Sequence, residues 1–268
     1  MNAVGFATAA TKRFVFIAYP ALLIAVAFEI LWHLQPLLIL RQTVLGCQMR
    51  DFELALFAEA PGVTWQDYFA IHNAPFFDLI FAIPYTIFIF VVIGYAVYLS
   101  FVDEIRARQF IWAVTVAYLL AIVIYVALPV APPWYVRTHG CTIDTSALPS
   151  AAGLLRVDNL LGIRYFETIY MRNPAIFASF PSMHCAFPVA GLIVSWRKAT
   201  WVTRPIHILY AAAMFIGSIY LDHHWTIDGP AGWLVAAVGA CAALAIVRRP
   251  ANLPPGGERL DPDAVITS

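Results

Sequence analysis

Apolar residues dominate this chain in long stretches, and shorter segments rich in charge, proline and glycine separate them. A helix that crosses a membrane needs about 20 mostly apolar residues, and six stretches meet or approach that length. They cover approximately residues 14–38, 79–102, 109–130, 181–197, 204–222 and 225–247. This pattern predicts an all-α, polytopic membrane protein built as a bundle of six transmembrane helices.

The amino-acid composition favours the same class of protein. Hydrophobic residues make up 62% of the 268 residues and charged residues only 12%, whereas soluble domains carry about 25% charged residues. The 16 basic residues balance the 16 acidic ones, so the excess positive charge of a nucleic-acid-binding domain is lacking and we expect no such partner. The apolar run after Lys12 and Arg13 is longer than the roughly 7–15 residues of a signal-peptide core, so we interpret it as a retained membrane anchor.

The basic residues predict how the bundle is oriented, because Lys and Arg concentrate in cytoplasmic loops. If the N-terminus is cytoplasmic, that side carries Lys12, Arg13, Arg106, Arg108, Arg197, Lys198, Arg204, Arg248, Arg249 and Arg259. The other side then carries the smaller set Arg41, Arg50, Arg137, Arg156, Arg164 and Arg172. We therefore expect both termini in the cytoplasm of a bacterium, with the opposite face of its inner membrane turned to the periplasm.

Two long segments, at about 41–78 and 131–180, fall on the outer side of this predicted bundle. In the first, Thr64 is followed three residues later by Asp67, which is a start signal for a short helix. Several aromatic residues follow, and aromatic side chains settle at membrane interfaces. We expect both segments to carry short interfacial helices.

The chain reads as one domain followed by a short tail. We predict a single membrane-embedded catalytic domain over residues 1–249. Residues 250–268 are rich in proline, glycine and charge, a composition that cannot bury a core and that predicts a disordered cytoplasmic tail.

Two of the four cysteines, Cys47 and Cys141, lie in the outer segments. The compartment on that side permits disulfides, so we predict that these two residues pair. The alternative is two separate buried thiols.

Polar residues interrupt the apolar pattern in two clusters, Phe180–His184 and Leu221–Asp228. Two membrane crossings separate the clusters, so His184 should begin the fourth span and His224 the sixth, both at the outer face. On a helix, His224 and Asp228 would share one face because they are four residues apart. The carboxylate could then hold Nδ1–H of His224 and leave Nε2 to attack. His184 could transfer a second proton, since an imidazole titrates near neutral pH.

Several neighbouring side chains are candidates for contacts with an anion. Helix N-termini favour phosphate groups, and Ser179 and Ser182 flank the start of the fourth span, where they could cap the helix or touch a phosphate oxygen. Arg137 follows a Pro-Pro corner and is a candidate charge clamp. His223 is either a further ligand or a polar residue of the interface.

These motifs resemble a known family. Pro181-Ser182-x-His184, followed forty residues later by His224-x-x-x-Asp228, is similar to the type-2 phosphatidic acid phosphatase superfamily. Ala131-Pro-Pro-Trp-Tyr135 and His223-His224-Trp-Thr-Ile-Asp228 resemble its inositol phosphorylceramide synthase (inositolphosphotransferase) branch. The resemblance implies a six-helix bundle with a phosphohistidine mechanism. It makes His224 the nucleophile, Asp228 the residue that orients it and His184 the acid and base, with no cofactor and no metal.

The chain departs from the phosphatase branch of that family. The phosphatases carry a Lys and an Arg-Pro pair before the serine cluster and an Arg six residues before the nucleophile, where this chain has Ser218. A phosphodiester carries one charge and needs fewer cations than a phosphate dianion. We therefore expect a transferase that passes a phospho-headgroup, phosphoinositol by resemblance, from a phosphatidylinositol-like lipid to a ceramide or diacylglycerol-like acceptor.

Three alternatives remain open from the sequence. The first is a lipid phosphate phosphatase of the same superfamily, in which water takes the place of the acceptor. The second is a haem- or metal-binding membrane protein with His184 and His224 as ligands. The third is a transporter, although transporter sites lie near the midplane of the membrane rather than at one end.

Overall fold

The computed structural model describes residues 15, 19–31, 33–35, 37, 44–144, 146–172 and 175–248. Within those residues the fold is helical, with three isolated β-bridges and no strand, so the predicted all-α class is confirmed. The helices are α1 (Tyr19–Gln35), α2 (Cys47–Phe57), α3 (Trp65–Ile71), α4 (Pro75–Val102), α5 (Glu104–Ala127), α6 (Pro133–His139), α7 (Leu154–Leu161), α8 (Tyr165–Tyr170), α9 (Met183–Ser195), α10 (Thr203–Tyr220) and α11 (Asp228–Ile246). The predicted tail at 250–268 lies outside the described residues.

Each of the six apolar stretches overlaps with one helix, namely α1, α4, α5, α9, α10 or α11. Three of these helices, α4, α5 and α11, are long and apolar enough to cross a membrane. Helix α4 begins four residues earlier than the apolar pattern suggested, because Pro75 occupies its first turn, where the fixed φ of proline suits a helix start. The count of six spans stays a prediction.

Helix α11 packs closely against α5 and α9, and two of its glycines make this approach possible. A Cβ atom on Gly232 would lie 2.2 Å from the carbonyl oxygen of Ser182, at the start of α9. A Cβ atom on Gly239 would lie 2.4 Å from the carbonyl oxygen of Ala113 in α5. Side chains larger than hydrogen would push these helices apart, so Gly232 lets α11 approach the first turn of α9 and Gly239 lets it approach α5.

The two outer segments hold five short helices, α2 and α3 in the first and α6 to α8 in the second. The predicted start of α3 is confirmed, because Thr64 Oγ1 accepts a hydrogen bond from Asp67 N while Asp67 Oδ2 accepts one from Thr64 N, both at 3.2 Å. Cys47 at the start of α2 and Cys141 just after α6 form a disulfide that joins the two segments.

Candidate active site

His224 lies in the link between α10 and α11, at residues 221–227. The prediction that His224 begins the last helix is wrong, because α11 starts four residues later, at Asp228. The chain turns at Asp222, which has a positive φ of 67°, a conformation that aspartate tolerates better than most residues. The backbone N–H groups of His223 and His224 then both donate to the carbonyl of Ser218, at 3.1 and 3.2 Å. The loop therefore folds back over the end of α10 and carries His224 inward.

The Nδ1 atom of His224 faces two acceptors. Asp228 Oδ2 is 3.1 Å away and the carbonyl oxygen of Ser179 is 3.0 Å away. A backbone carbonyl can only accept a hydrogen bond, so the geometry selects the tautomer in which Nδ1 carries the hydrogen and Nε2 keeps its lone pair. The predicted contact between His224 and Asp228 is therefore present, but a loop makes it rather than one face of a helix.

Three donors converge on one carboxylate oxygen of Asp228. Besides His224 Nδ1, the hydroxyl of Ser179 and the backbone N–H of Trp225, at 3.0 Å, donate to Oδ2. Asp228 is fully buried and lies in the first turn of α11, where the helix dipole favours a negative charge. These contacts fix the carboxylate behind the imidazole ring.

His184 approaches His224 from the first turn of α9. Its Nδ1 atom is 3.4 Å from Nε2 of His224 and 3.1 Å from the hydroxyl oxygen of Tyr85 in α4. The start of α9 is linked to the start of α11 by a 3.0 Å hydrogen bond from Ser182 N to the carbonyl of Asp228. The structure thus places His184, His224 and Asp228, the three residues that the sequence singled out, side by side.

A stack of four rings leads away from His184, and no motif in the sequence predicted it. Tyr85 stacks on His184 with ring centroids 4.0 Å apart and on His223 at 5.3 Å, and Tyr170 stacks on the other side of His223 at 4.9 Å. Burial lowers the pKa of His223 to about 3, so this ring is neutral at pH 7 and cannot act as a cation. Its Nε2 atom is buried without a hydrogen-bond partner, and whether His223 is a further ligand or a polar residue of the interface stays a prediction.

Both candidate serines are buried and engaged by the protein. Ser182 caps α9, with its hydroxyl accepting from Cys185 N at 3.4 Å, which is the first of the two alternatives left by the sequence. The Ser179 hydroxyl donates to Asp228, and its carbonyl accepts from His224. Both hydroxyls thus help to shape the site, and a contact of either with a phosphate oxygen stays a prediction.

Arg137 lies at the site but already has partners. Its guanidinium donates to Asp222 Oδ2 and, at 3.3 Å, to the carbonyl of Gln66. Burial raises the pKa of Asp222 to about 6, although the charge of Arg137 opposes the shift. The predicted charge clamp is thus held in an ion pair about a third exposed on its arginine side.

Arg156 in α7 is a second cation close to the loop at 221–227. The sequence pattern had pointed to it only as one of the basic residues of the predicted outer side. Its Nε atom donates to Asp78 Oδ1 at 2.8 Å and its Nη2 atom to the carbonyl of Tyr220 at 3.3 Å. The neighbouring Gly153 lies against Leu221, where a Cβ atom would come within 2.8 Å of the backbone. Helix α7 therefore covers the loop that carries the histidines.

The fold and the site together define a helical protein in which two histidines face each other. One is held by an aspartate in the loop before α11, and the other lies in the first turn of α9. The chain belongs to the PAP2 superfamily, whose family model matches residues 53–242. That range includes all three residues of the site, and the superfamily inferred from the motifs is confirmed.

Three curated proteins that are similar in sequence to this chain fall in one branch of this superfamily. The chain is 31% identical over 179 residues to a phosphoinositol dihydroceramide synthase of Bacteroides thetaiotaomicron, which is 66% of this chain and 59% of that protein. It is 34% identical over 161 residues to the inositol phosphorylceramide synthase of Candida albicans, covering 56% and 32% of the two chains. It is 28% identical over 182 residues to the inositol phosphorylceramide synthase catalytic subunit of Saccharomyces cerevisiae, covering 66% and 45%.

The chain therefore spans between about a third and three fifths of the length of these curated relatives. Their names confirm the resemblance to the inositol phosphorylceramide synthase branch. No solved structure matches the chain.

Proposed function

We propose that this protein is an integral membrane lipid phosphotransferase that cleaves a phosphodiester lipid through a phosphohistidine and passes the phospho-headgroup to a lipid hydroxyl. The observation that carries the proposal is the array at the site. Asp228 and the Ser179 carbonyl hold the hydrogen on Nδ1 of His224, so that Nε2 presents its lone pair towards His184.

In the first half of the proposed reaction, Nε2 of His224 attacks the phosphorus atom of the donor lipid. The bond between phosphorus and the diacylglycerol oxygen breaks, and His184 gives a proton to that departing oxygen. The developing positive charge on the His224 ring is stabilised by the Asp228 carboxylate. Substrate entry has to separate Nε2 of His224 from Nδ1 of His184, now 3.4 Å apart, because the reacting group occupies the space between them.

In the second half, the acceptor hydroxyl gives its proton to His184 and its oxygen attacks the phosphorus on His224. The bond between phosphorus and Nε2 breaks, which restores the free enzyme and forms the new phosphodiester. Water in place of the lipid hydroxyl would give hydrolysis, the reaction of a phosphatase.

The charges around the site favour a phosphodiester over a phosphate dianion. Arg137 is paired with Asp222, and Arg156 is paired with Asp78, so each positive charge is balanced by a neighbouring carboxylate. A phosphodiester needs less positive charge than a phosphomonoester dianion does. This balance and the names of the relatives support transfer of phosphoinositol from a phosphatidylinositol-like donor to a ceramide or diacylglycerol-like acceptor.

The proposed enzyme is a six-helix bundle of the bacterial inner membrane, with the site at the periplasmic face and both termini in the cytoplasm. The three long apolar helices and the distribution of basic residues support this arrangement. In it, His184 and His224 lie at the ends of helices that meet the outer leaflet, so two lipid substrates can approach within the plane of the membrane.

The proposal is tested by supplying the purified full-length protein in lipid–detergent micelles with headgroup-labelled phosphatidylinositol, with and without ceramide or diacylglycerol. We expect a new labelled lipid that forms only when an acceptor is present. Release of a water-soluble labelled phosphate compound at the same rate with and without acceptor would identify a hydrolase. Absence of both products would overturn the proposed activity.

The hydroxyl of Tyr85 provides a test of the role of His184. Replacing Tyr85 with phenylalanine keeps the ring stacked on His184 and removes the 3.1 Å hydrogen bond to Nδ1. We expect kcat to fall about tenfold with little change in KM, since losing one hydrogen bond costs about 1 kcal/mol and tenfold corresponds to about 1.4 kcal/mol. The control is Tyr98→Phe, an exposed tyrosine on the same helix, and equal kcat values for the two variants would contradict the prediction.

A further inference from the structure

One buried acid, Glu53 in α2, has no part in the mechanism described above. Its side chain is fully buried, and burial raises its pKa. Both of its carboxylate oxygens accept from the backbone N–H of Thr226, at 2.9 and 3.1 Å. Thr226 is two residues after His224, so the Glu53 carboxylate binds the loop that carries the candidate nucleophile.

A second buried side chain, Gln66 in the first turn of α3, connects Glu53 to His224 itself. Its Nε2 atom donates to Glu53 Oε1 at 3.1 Å and to the backbone carbonyl of His224 at 3.0 Å. The two hydrogens of this amide group are thereby both used. The backbone carbonyl of Gln66 also accepts from Arg137, which connects this residue to the ion pair at the edge of the site.

The loop depends on such outside contacts because it is not helical. Residues 221–227 lie between the end of α10 and the start of α11, and their N–H groups need partners when they are buried. Asp228 holds the N–H of Trp225 from the side of α11, and Glu53 holds the next N–H, of Thr226, from the outer segment. Two buried carboxylates thus fix consecutive peptide groups directly after His224.

The chemistry of Glu53 distinguishes it from an ordinary packing residue. Burying a carboxylate is costly unless its hydrogen-bonding capacity is satisfied, and here the contacts that satisfy it go to the nucleophile loop and to the amide that holds it. Asp51, two residues earlier on the same helix, is exposed. The first outer segment is joined by the disulfide between Cys47 and Cys141 to the residues just after α6. Its buried polar contacts hold the loop that carries His224.

We propose that Glu53 and Gln66 are positioning residues for His224, which hold its backbone where Nε2 can reach the phosphorus of a bound phosphodiester lipid. This inference rests on the proposed function. Neither residue touches the reacting atoms, so removing either should lower kcat and leave the binding of the lipids, and hence KM, nearly unchanged.

The test uses the purified full-length enzyme and the transfer assay with labelled phosphatidylinositol and ceramide. In Glu53→Gln an amide oxygen in the place of Oε1 can still accept from Gln66 and Thr226, but the NH₂ group in the place of Oε2 faces the N–H of Thr226. Two donors then oppose each other, so the loop shifts. A misplacement of about 1 Å can cost about 100-fold in rate, and we expect kcat to fall roughly 10- to 100-fold with KM within about twofold of wild type. Asp51→Asn, on the same helix, is the matched control and should keep wild-type kcat.

Two further variants separate positioning from folding. In the exchanged pair Glu53→Gln with Gln66→Glu, the side chains again face each other as donor and acceptor, and kcat should recover severalfold relative to Gln66→Glu alone. Gln66→Met keeps the shape and Glu53 while removing both donated hydrogen bonds, and we expect kcat to fall about tenfold. The Tm of each variant and the amount of folded protein are measured alongside kcat.

Wild-type kcat in Glu53→Gln, or in Gln66→Met where Glu53→Gln does not fold, would overturn the inference. So would a loss of activity that matches the loss of folded protein, or an equal loss in Asp51→Asn. The activity of His224→Ala separates failure of the positioning inference from failure of the proposed function. If that variant is inactive while Glu53→Gln is unaffected, only the positioning inference fails, whereas transfer by His224→Ala would remove the proposed function as well.

Discussion

Replacing His224 with alanine is expected to abolish headgroup transfer, because the ring nitrogen that forms the covalent intermediate is lost. In enzymes with a covalent nucleophile, removing that group lowers kcat by about 10⁶-fold, and no other imidazole in the described structure is held by Asp228. The measurement is the rate of labelled product from phosphatidylinositol and ceramide. A donor labelled in its phosphate should also leave label on the wild-type protein when the acceptor is withheld, and none on His224→Ala.

The matched control is His207→Ala. His207 lies near the start of α10, whereas the loop with His224 follows the end of that helix, about 20 Å away at 1.5 Å per residue. We expect His207→Ala to keep wild-type transfer activity and to become labelled by the phosphate-labelled donor as the wild-type protein does. Wild-type transfer by His224→Ala would end the proposed mechanism, and label retained on that variant would place the nucleophile on another residue.

The apolar pattern predicted the positions of the long helices well, because the thickness of a membrane fixes how many apolar residues a span needs. It also led to the prediction that His184 and His224 lie at one end of the bundle, because two predicted crossings would return the chain to the same side. The pattern could not predict that α11 begins only at Asp228. The loop before it is set by the left-handed turn at Asp222 and by the Ser218 carbonyl, contacts that have no apolar signature.

One physical reason explains why no sequence pattern pointed to three residues of the site. Glu53 is 173 positions from Thr226, Gln66 is 158 from His224 and Tyr85 is 99 from His184. Each looks like an ordinary member of its own segment, and only the folded chain brings it to the site. By contrast, His224 and Asp228 are close in sequence, so their relation was recognisable even though the helix inferred for them was not the element that joins them.

The Ser179 carbonyl changes what is expected from a substitution at Asp228. Where asparagine replaces the aspartate of a Ser-His-Asp site, the amide selects the wrong tautomer and kcat falls about 10⁴-fold. Here the carbonyl of Ser179, 3.0 Å from Nδ1, is retained in Asp228→Asn and still requires a hydrogen on that nitrogen. The N–H of Trp225 also favours an asparagine with its oxygen, rather than its NH₂ group, towards the ring.

Asp228→Asn is therefore expected to lose only the negative charge that stabilises the His224 ring once it is phosphorylated. We expect kcat to fall by about 10²- to 10³-fold, less than the loss caused by the wrong tautomer. Asp228→Ala also removes the acceptor for Ser179 and Trp225, which releases the loop, and its kcat should fall by about 10⁴-fold or more. Both values come from the same transfer assay, and the initial rate of protein labelling by the phosphate-labelled donor shows whether formation of the phosphohistidine is the slowed step.

Ser179→Ala is the control that separates charge from hydrogen bonding at this position. It removes one donor to Asp228 but keeps both the carboxylate and the carbonyl that orients His224, so kcat should fall only about tenfold. If Asp228→Asn were as inactive as Asp228→Ala, the carbonyl would not be sufficient to set the tautomer. The carboxylate would then have to orient the ring as well as stabilise its charge, and the order of the three variants decides between these two accounts.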